Sequence, residues 1–239
     1  MEVTLLLLSA AAAGVLSGVV GTGSSLVLLP ALLWVHGPRV AVPIMGVAAV
    51  LGNIGRVAAW WRQISWRPTL AYAVTGVPAA VVGAHTLLTI PQAVADGVIA
   101  AFFLAMIAAR RSGLAARWRL TLRHMLLAGA VVGFLTGLLF STGPLSVPIF
   151  TAYGLSGGAF LGSEAASSLL LYAGKLATFG AADALTRTVL VQGLSIGTAL
   201  LIGSVVARRI VERIGVHTHE LLIDLVLAAG AVTMLLAMI

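Results

Sequence analysis

Six long, mostly apolar runs dominate the chain and restrict what it can fold into. They cover residues 40–61, 69–90, 93–109, 157–179, 188–207 and 221–239. Each approaches the length of about 20 residues that an α-helix needs to cross a lipid bilayer. Of the 239 residues 60% are hydrophobic and only 9% are charged, so the chain lacks the charged surface of a water-soluble domain. The sequence therefore predicts an all-α integral membrane protein.

The composition also excludes several classes of function. A net charge of +7 would suggest nucleic-acid binding in a soluble protein, but the arginines here lie mainly in short loops between apolar runs. Cysteine is absent, which excludes disulfides and thiol chemistry, and the five histidines lack metal-ligand spacing. No Ser–His pair and no paired carboxylates lie within a helical turn or two of each other. We therefore expect no nucleic-acid partner, no metal, no cofactor and no catalytic residue.

Two further apolar segments, about 3–35 and 125–153, are too long for one ordinary span and are interrupted in the middle. The interruptions read Gly21-Thr22-Gly23-Ser24-Ser25 and Phe140-Ser141-Thr142-Gly143-Pro144. We expect a broken helix pair at each place. Each pair is either a re-entrant hairpin or two short spans, and the sequence leaves both options open.

The two breaks occupy equivalent positions of an internal repeat. Three groups of residues repeat at nearly one offset: 23–30 over 141–148 (118 residues), 55–60 over 174–179 (119 residues), and Arg67 and Gly83 over Arg187 and Gly203 (120 residues). The offset is close to half the chain length, which indicates one transmembrane domain made of two halves. The halves are 1–120 and 121–239, joined by an Arg-rich linker at 110–124. The alternative is the generic Gly/Ala similarity of membrane helices.

The positions of the basic residues indicate that the halves are inverted. If each half crosses the membrane an odd number of times, ten of the fourteen Lys and Arg residues lie in cytoplasmic loops, at 62–68, 110–124 and 208–220. This bias is what the positive-inside rule requires. We therefore predict two inverted-topology repeats, each with a broken or re-entrant helix pair followed by three transmembrane helices. Both termini then lie outside the cytoplasm.

The helix starts after the breaks are candidate anion sites. Ser24 or Ser25 can cap the first start, and Thr142 or Gly143 can cap the second, with Pro144 at its first position. Free backbone N–H groups and the positive end of the helix dipole then point at the break. The break residues that we assign to substrate binding are Gly23, Ser24, Ser25, Ser141, Thr142 and Gly143. The alternative is that these small residues only permit tight helix contacts.

Each half also carries one cation inside an otherwise apolar helix. Arg56 and Lys175 occupy matching positions of the repeat, and no acid lies within one helical turn of either on its own helix. An intramembrane cation costs about 3 kcal/mol or more by insertion scales, so it usually faces a cavity or a partner. An anionic substrate is a candidate for the missing counter-ion. The alternative is snorkelling to the membrane surface, because each cation lies near the end of its helix.

Polar side chains share the helix faces of the two cations. Asn53 and Tyr172 precede Arg56 and Lys175 by three residues, and Ser168 extends the second face by another turn. These side chains can donate hydrogen bonds to an oxyanion, or they can simply join helices. Glu164 lies on the same face as Lys175 and is the only acid deep in a helix. We name it as the candidate for coupling to a proton or sodium ion.

A short motif recurs at the two breaks and carries a family resemblance. A Gly- or Ser-rich break is followed five residues later by Pro, at Ser25 to Pro30 and again at Gly143 to Pro148. The second copy, Gly143-Pro144-Leu145-Ser146-Val147-Pro148, resembles the signature of the sulfite exporter TauE/SafE family more closely. In the first copy, Ser24-Ser25 replaces a denser glycine run. The resemblance implies a multi-pass transporter of the bacterial inner (plasma) membrane that moves sulfite or an organosulfonate, commonly by export.

The residues and the resemblance together predict a secondary transporter that holds a small anion at the helix breaks near the membrane midplane and works by alternating access. Membrane lipid is an expected partner, and a coupling proton or sodium ion and a homodimer are left open. Two rival functions share these features. A passive anion channel would show no saturation of its transport rate, and a lipid-phosphate translocase should have a lateral groove open to lipid.

Overall fold

The fold was analysed in a computed structural model, which describes residues 2–22, 38–91, 119–138 and 143–215 and isolated residues at 24–25, 28, 32, 35–36, 218–219, 221–223 and 225. Within these residues all regular structure is helical. The helices are α1 (Glu2–Val20), α2 (Pro38–Trp60), a 3₁₀ turn (Trp61–Gln63), α3 (Trp66–Thr89), α4 (Leu122–Leu138), α5 (Gly143–Ala152), α6 (Gly157–Ala181) and α7 (Arg187–Val211).

Four of the predicted spans are confirmed as helices. The runs at 40–61, 69–90, 157–179 and 188–207 correspond to α2, α3, α6 and α7. In the described part of the chain, three helices are long and apolar enough to cross a membrane: Val40–Gln63, Trp66–Thr89 and Arg187–Val211. The predicted span at 93–109, most of the span at 221–239 and most of the linker at 110–124 lie outside the described residues.

Local sequence explains where two of these helices begin. α3 starts at Trp66, three residues before the apolar run, because Pro68 fits in a first helical turn, where its missing N–H group has no partner to lose. α7 starts at Arg187 because the side chain of Thr186 accepts a hydrogen bond from Val189 N at 3.4 Å. Both starts extend the helix into polar residues at the end of the bundle.

Glycines bring the helices into backbone contact along two seams, α3 against α4 and α1 against α7. A Cβ atom added at Gly133 would overlap Gly76 O, and one added at Gly203 would lie 2.6 Å from Ala11 O. Lipid tails are as apolar as the helices, so close packing of small residues is a main source of helix association in membranes. Gly203 and its repeat equivalent Gly83 both lie in these seams, one in each half.

The order of contacts shows that α1, α2 and α7 run in the same direction. Along α1 and α7 the contact pairs are Gly14–Leu200 and Gly18–Ala207, and along α2 and α7 they are Val47–Gly193 and Leu51–Gly197. Residue numbers rise together in both pairs of helices. These three helices are therefore parallel.

The helices α3, α4 and α6 form a second parallel group that runs the opposite way. The contact pairs are Tyr72–Gly129 and Ala80–Gly137 for α3 and α4, and Thr69–Ser163 and Val81–Gly174 for α3 and α6. The two groups meet where α2 crosses α6, with Gly46 at Leu176 and Arg56 at Glu164. Along these contacts the residue numbers of α6 fall as those of α2 rise, so α2 and α6 are antiparallel.

The second broken segment folds back on itself. The backbone N–H of Leu120, just before α4, donates to the carbonyl of Ala152, the last residue of α5, at 3.0 Å. The chain therefore enters and leaves this segment at the same end of the bundle. With 10 residues α5 is about 15 Å long, half of the hydrocarbon thickness of a bilayer. Both options that the sequence leaves open for 125–153 return the chain to the same end, so the choice between them stays a prediction.

Candidate functional site

A buried ion pair joins α2 to α6 where the two groups of helices cross. Arg56 Nη1 lies 2.6 Å from Glu164 Oε2, and the two side chains are 6% and 2% exposed. The same nitrogen donates to the carbonyl of Gly21 at 2.5 Å, and Nη2 donates to Asn53 Oδ1. The Arg56 guanidinium thus contacts α6, the end of α1 and its own helix.

Glu164 is held equally firmly through its other carboxylate oxygen. Ser146 Oγ on α5 and Ser168 Oγ on α6 both donate to Glu164 Oε1, each at 2.8 Å. Hydrogen bonds to a charged group contribute more than neutral ones, about 1.5–3 kcal/mol. The carboxylate therefore ties the short helix α5, which follows the second break, to the ion pair between α2 and α6.

The two helix breaks meet beside this ion pair. Gly21 adopts φ +84°, the left-handed conformation that ends a helix and favours glycine, and a Cβ there would also lie 2.9 Å from Phe160. The next residue, Thr22, lies so close to Gly143 at the start of α5 that a Cβ on Gly143 would overlap the Thr22 side chain. Glycine at position 143 is therefore required for the breaks to approach each other.

Arg56 and Glu164 line a cavity of about 40 Å³ between the breaks. This volume has room for roughly three or four water molecules. Arg56 Nε is buried and has no hydrogen-bond partner in the described part of the chain. The cavity is thus lined by a neutralised pair of charges and has the size of a small oxyanion.

Most of the residues predicted for the site lie around this cavity. Its lining contains Ser24, Ser25, Asn53, Arg56, Gly143, Glu164, Ser168 and Tyr172. Gly23, Ser141 and Thr142 lie outside the described residues. The structure thus brings together residues from both halves that the sequence associated only by motif and helical spacing. Their role in substrate binding stays a prediction.

Lys175 lies apart from the cavity lining. Its Nζ donates to the carbonyl of Thr136 at 2.8 Å and lies 5.9 Å and 5.5 Å from the ring centres of Tyr172 and Phe179. Thr136 is in the last turn of α4, where carbonyls lack helical partners and the helix dipole attracts a cation. Lys175 is 0% exposed and Arg56 is 5% exposed, so neither cation reaches the surface by snorkelling.

The interpretation that Arg56 lacks a counter-ion within the protein is wrong. Its counter-ion is Glu164, 108 residues away on a helix of the other half. A search along one helix finds only neighbours about a turn away, and Glu164 becomes a neighbour only because α2 and α6 cross. The sequence did contain a signal for this pair. Arg56 and Glu164 both lie inside apolar helices, and charges that are buried away from water are usually paired.

Sequence reasoning missed a second set of lining residues: Ser17, Gly21, Thr22, Met45, Ala49, Gly52, Leu200 and Ser204. Part of this set could have been predicted from the sequence. Met45, Ala49 and Gly52 continue the helix face of Asn53 and Arg56 at spacings of three and four residues. Ser17 is the repeat equivalent of Thr136 at the offset of 119 residues. Leu200 and Ser204 carried no signal, since only packing brings α7 to the cavity.

The fold and the site define a helical membrane protein with a small charged cavity between two helix breaks. The chain belongs to the sulfite exporter TauE/SafE family, whose model matches residues 6–234. This confirms the resemblance inferred from the break motifs. The family consists of membrane transporters and not of enzymes, so the protein is a membrane transporter. A search of curated proteins and a search of solved structures gave no match to the chain.

Proposed function

We propose that the protein is a secondary transporter that exports a small anion, sulfite or an organosulfonate, by alternating access. The observation that carries this proposal is the cavity between the two breaks, with Arg56 in its wall. Arg56 supplies positive charge and the N–H donors of its guanidinium. Asn53, Ser168 and Tyr172 supply side-chain hydrogen bonds, and Ser24 and Ser25 supply hydroxyls from the first break.

The second break contributes the start of a helix. Gly143 begins α5 and lines the cavity, and the first N–H groups of a helix have no partner within the helix. These groups and the helix dipole favour an anion at this position. Space for roughly three or four water molecules suits an oxyanion of four heavy atoms, so sulfite fits the described cavity better than an organosulfonate with a long tail.

The transport cycle that we propose rests on two inverted halves, 1–120 and 121–239. The helices α1, α2 and α3 correspond to α4, α6 and α7 in the repeat, and each corresponding pair runs in opposite directions. The two cations support this equivalence, because Arg56 donates to Gly21 O at the end of α1 and Lys175 donates to Thr136 O at the end of α4. Rocking of one half against the other would expose the cavity to each side in turn.

We further propose that the protein lies in the bacterial inner membrane with both termini outside the cytoplasm. The 3₁₀ turn that carries Arg62 and the end of α7 that carries Arg208 lie at one end of the bundle, where Arg208 Nη1 donates to Ala59 O at 2.9 Å. Leu120 N donates to Ala152 O, so the two ends of the second broken segment lie side by side. Arginine-rich ends face the cytoplasm by the positive-inside rule.

Two variants that differ only at position 56 test the site. Glu164→Gln keeps the guanidinium, whereas Arg56→Gln combined with Glu164→Gln removes both charges and leaves no unpaired ion. We expect sulfite to raise the thermal unfolding temperature of the wild type and of Glu164→Gln in detergent, but not of the double variant, because stabilisation follows ligand occupancy. Sulfate, taurine, sulfoacetate and acetate serve as comparison anions.

Flux into proteoliposomes then tests transport by the same proteins. We expect saturable sulfite flux in the wild type and none above empty vesicles in the double variant. Equal stabilisation and equal flux in the two variants would contradict the assignment of Arg56. A flux that rises linearly with sulfite concentration would instead identify a passive channel.

A further inference from the structure

The two charges of the cavity neutralise each other in the described state. Glu164 Oε2 is occupied by Arg56 at 2.6 Å, and Oε1 accepts hydrogen bonds from Ser146 and Ser168. Glu164 is the only acidic residue in the cavity lining, as far as the described residues go. An anion that enters therefore meets a guanidinium whose charge is already balanced by a buried carboxylate.

Binding of an anion at Arg56 would place two negative charges beside one positive charge. Glu164 is only 1% exposed, so bulk water cannot stabilise the excess charge. Buried ionisable groups that lose their partner become neutral, because an unpaired buried charge costs far more than protonation. A second anion next to the carboxylate acts in the same sense.

We propose that Glu164 takes up one proton when an anion binds to Arg56, so that one proton travels with each anion. The contact between Arg56 Nη1 and Glu164 Oε2 breaks, an oxygen of the anion takes its place at Nη1, and a proton from the solution on the open side bonds to Oε2. On the other side the anion and the proton leave together, and the ion pair re-forms. This inference rests on the proposed function and names the coupling ion of that same site.

The charge count also selects the substrate. The cavity holds Arg56 and ionised Glu164 before binding, and Arg56, one anion and neutral Glu164 afterwards. The net charge is zero in both states if the anion is monovalent. Hydrogensulfite and sulfonates meet this condition, whereas sulfate and the sulfite dianion would leave one negative charge uncompensated in a site with little water.

Charged and titratable side chains from three helices lie near Glu164, and the basic one on its own helix, Lys175, donates to Thr136 O outside the cavity lining. Arg56 faces it from α2, Tyr172 and Lys175 share α6 with it, and Tyr72 lies on α3. The short helix α5 contributes only the Ser146 hydroxyl. A sodium ion at Glu164 would have to bind beside the guanidinium and compete with two hydroxyl donors, which favours the proton.

Proton uptake on anion binding tests the inference directly. The probe is methanesulfonate, a small sulfonate that does not itself titrate near neutral pH. It is added to the purified full-length protein in lightly buffered detergent solution that contains a pH indicator and no sodium. We expect about one proton per anion bound in the wild type. We expect none per anion bound in Glu164→Gln, whose anion occupancy is measured in the same sample by the thermal shift.

The response of flux to membrane potential gives a second measurement, which compares the wild type with Glu164→Gln. In proteoliposomes with clamped potassium diffusion potentials, we expect methanesulfonate and sulfite flux to be unaffected by the potential in the wild type and to depend on it in Glu164→Gln. Binding without proton uptake, potential-dependent wild-type flux, or a requirement for sodium would each overturn the inference and leave the proposed function intact. Absence of binding and of flux for both anions would overturn the proposed function and the inference with it.

Discussion

The ion pair between Arg56 and Glu164 predicts a strongly non-additive effect on stability. Replacing Arg56 by Gln removes the guanidinium and leaves Glu164 Oε2 buried without the partner that it has at 2.6 Å. Breaking a buried pair by removing one member costs about 3–5 kcal/mol, because an uncompensated charge stays behind. We therefore expect Arg56→Gln alone to be severely destabilised, and a loss of transport in that variant would say little about substrate binding.

The double variant Arg56→Gln/Glu164→Gln should be more stable than Arg56→Gln. No unpaired charge remains in it, and with both charges gone the hydrogen bonds at Gly21 O and at position 164 are neutral ones, each with a net value of about 0.5–1.5 kcal/mol. If two such bonds are lost, the double variant costs about 1–3 kcal/mol. We thus expect it to recover about 2 kcal/mol, or roughly 4–8 °C in unfolding temperature for a chain of this size.

Thermal unfolding of the detergent-purified proteins, followed by tryptophan fluorescence, measures this recovery. Arg62→Gln is the matched control, because Arg62 lies exposed on the 3₁₀ turn, where its guanidinium stacks on Trp61 at 5.3 Å. Its effect should stay within about 0.5 kcal/mol. If the loss of stability in the double variant equals the sum of the losses in Arg56→Gln and Glu164→Gln, the two charges are not coupled, and the pairing would be refuted.

Three further predictions concern single sites. Lys175→Gln should weaken sulfite binding by about tenfold or less. Lys175 lies outside the cavity lining, and the attraction between an anion and a charge that does not touch it is modest at an effective dielectric constant near 20. Complete loss of sulfite binding in the thermal-shift assay would mean that Lys175 touches the anion. Gly137→Ala should cost about 1–3 kcal/mol by overpacking, because its Cβ would lie 2.5 Å from Ala84 N, whereas Gly180→Ala, with 3.6 Å to Leu185, should be neutral or stabilising. Equal unfolding temperatures for these two alanine variants would contradict the close approach of α3 and α4. Because the chain contains no cysteine, single variants can report topology: Arg62→Cys should react with a membrane-impermeant maleimide only from the cytoplasmic side and Ala182→Cys only from outside, and the reverse pattern would overturn the orientation.

The sequence predicted the helices and the breaks because both depend on local properties. A run of apolar residues between arginine loops defines α2 or α7 without knowledge of its neighbours. Gly143 likewise marks the start of α5 through its place in the break motif, and the spacing of three residues puts Asn53 and Arg56 on one face. All three residues line the cavity, so the helical period was sufficient to select them.

The pairing of side chains between helices could not be predicted in the same way. Nothing within α2 states that it crosses α6 at the level of Glu164, because the crossing depends on the packing of several helices at once. The place of Lys175 at the end of α4 has the same origin, since its partner is a backbone carbonyl that any residue at position 136 would provide. Charge burial narrows the choice of partners, but the crossing point selects among them.

The repeat that we propose accounts for the single charged wall of this cavity. At the offset of 119 residues, Met45 and Ala49 on α2 correspond to Glu164 and Ser168 on α6, and all four residues line the cavity. The duplicated helices thus supply a symmetric frame, in which each cation contacts the end of a broken helix of its own half. Only α6 adds a carboxylate opposite Arg56, so the frame holds one ion pair instead of two. In the mechanism that we propose, this single ion pair exchanges with one anion at a time, so each anion is tied to one proton.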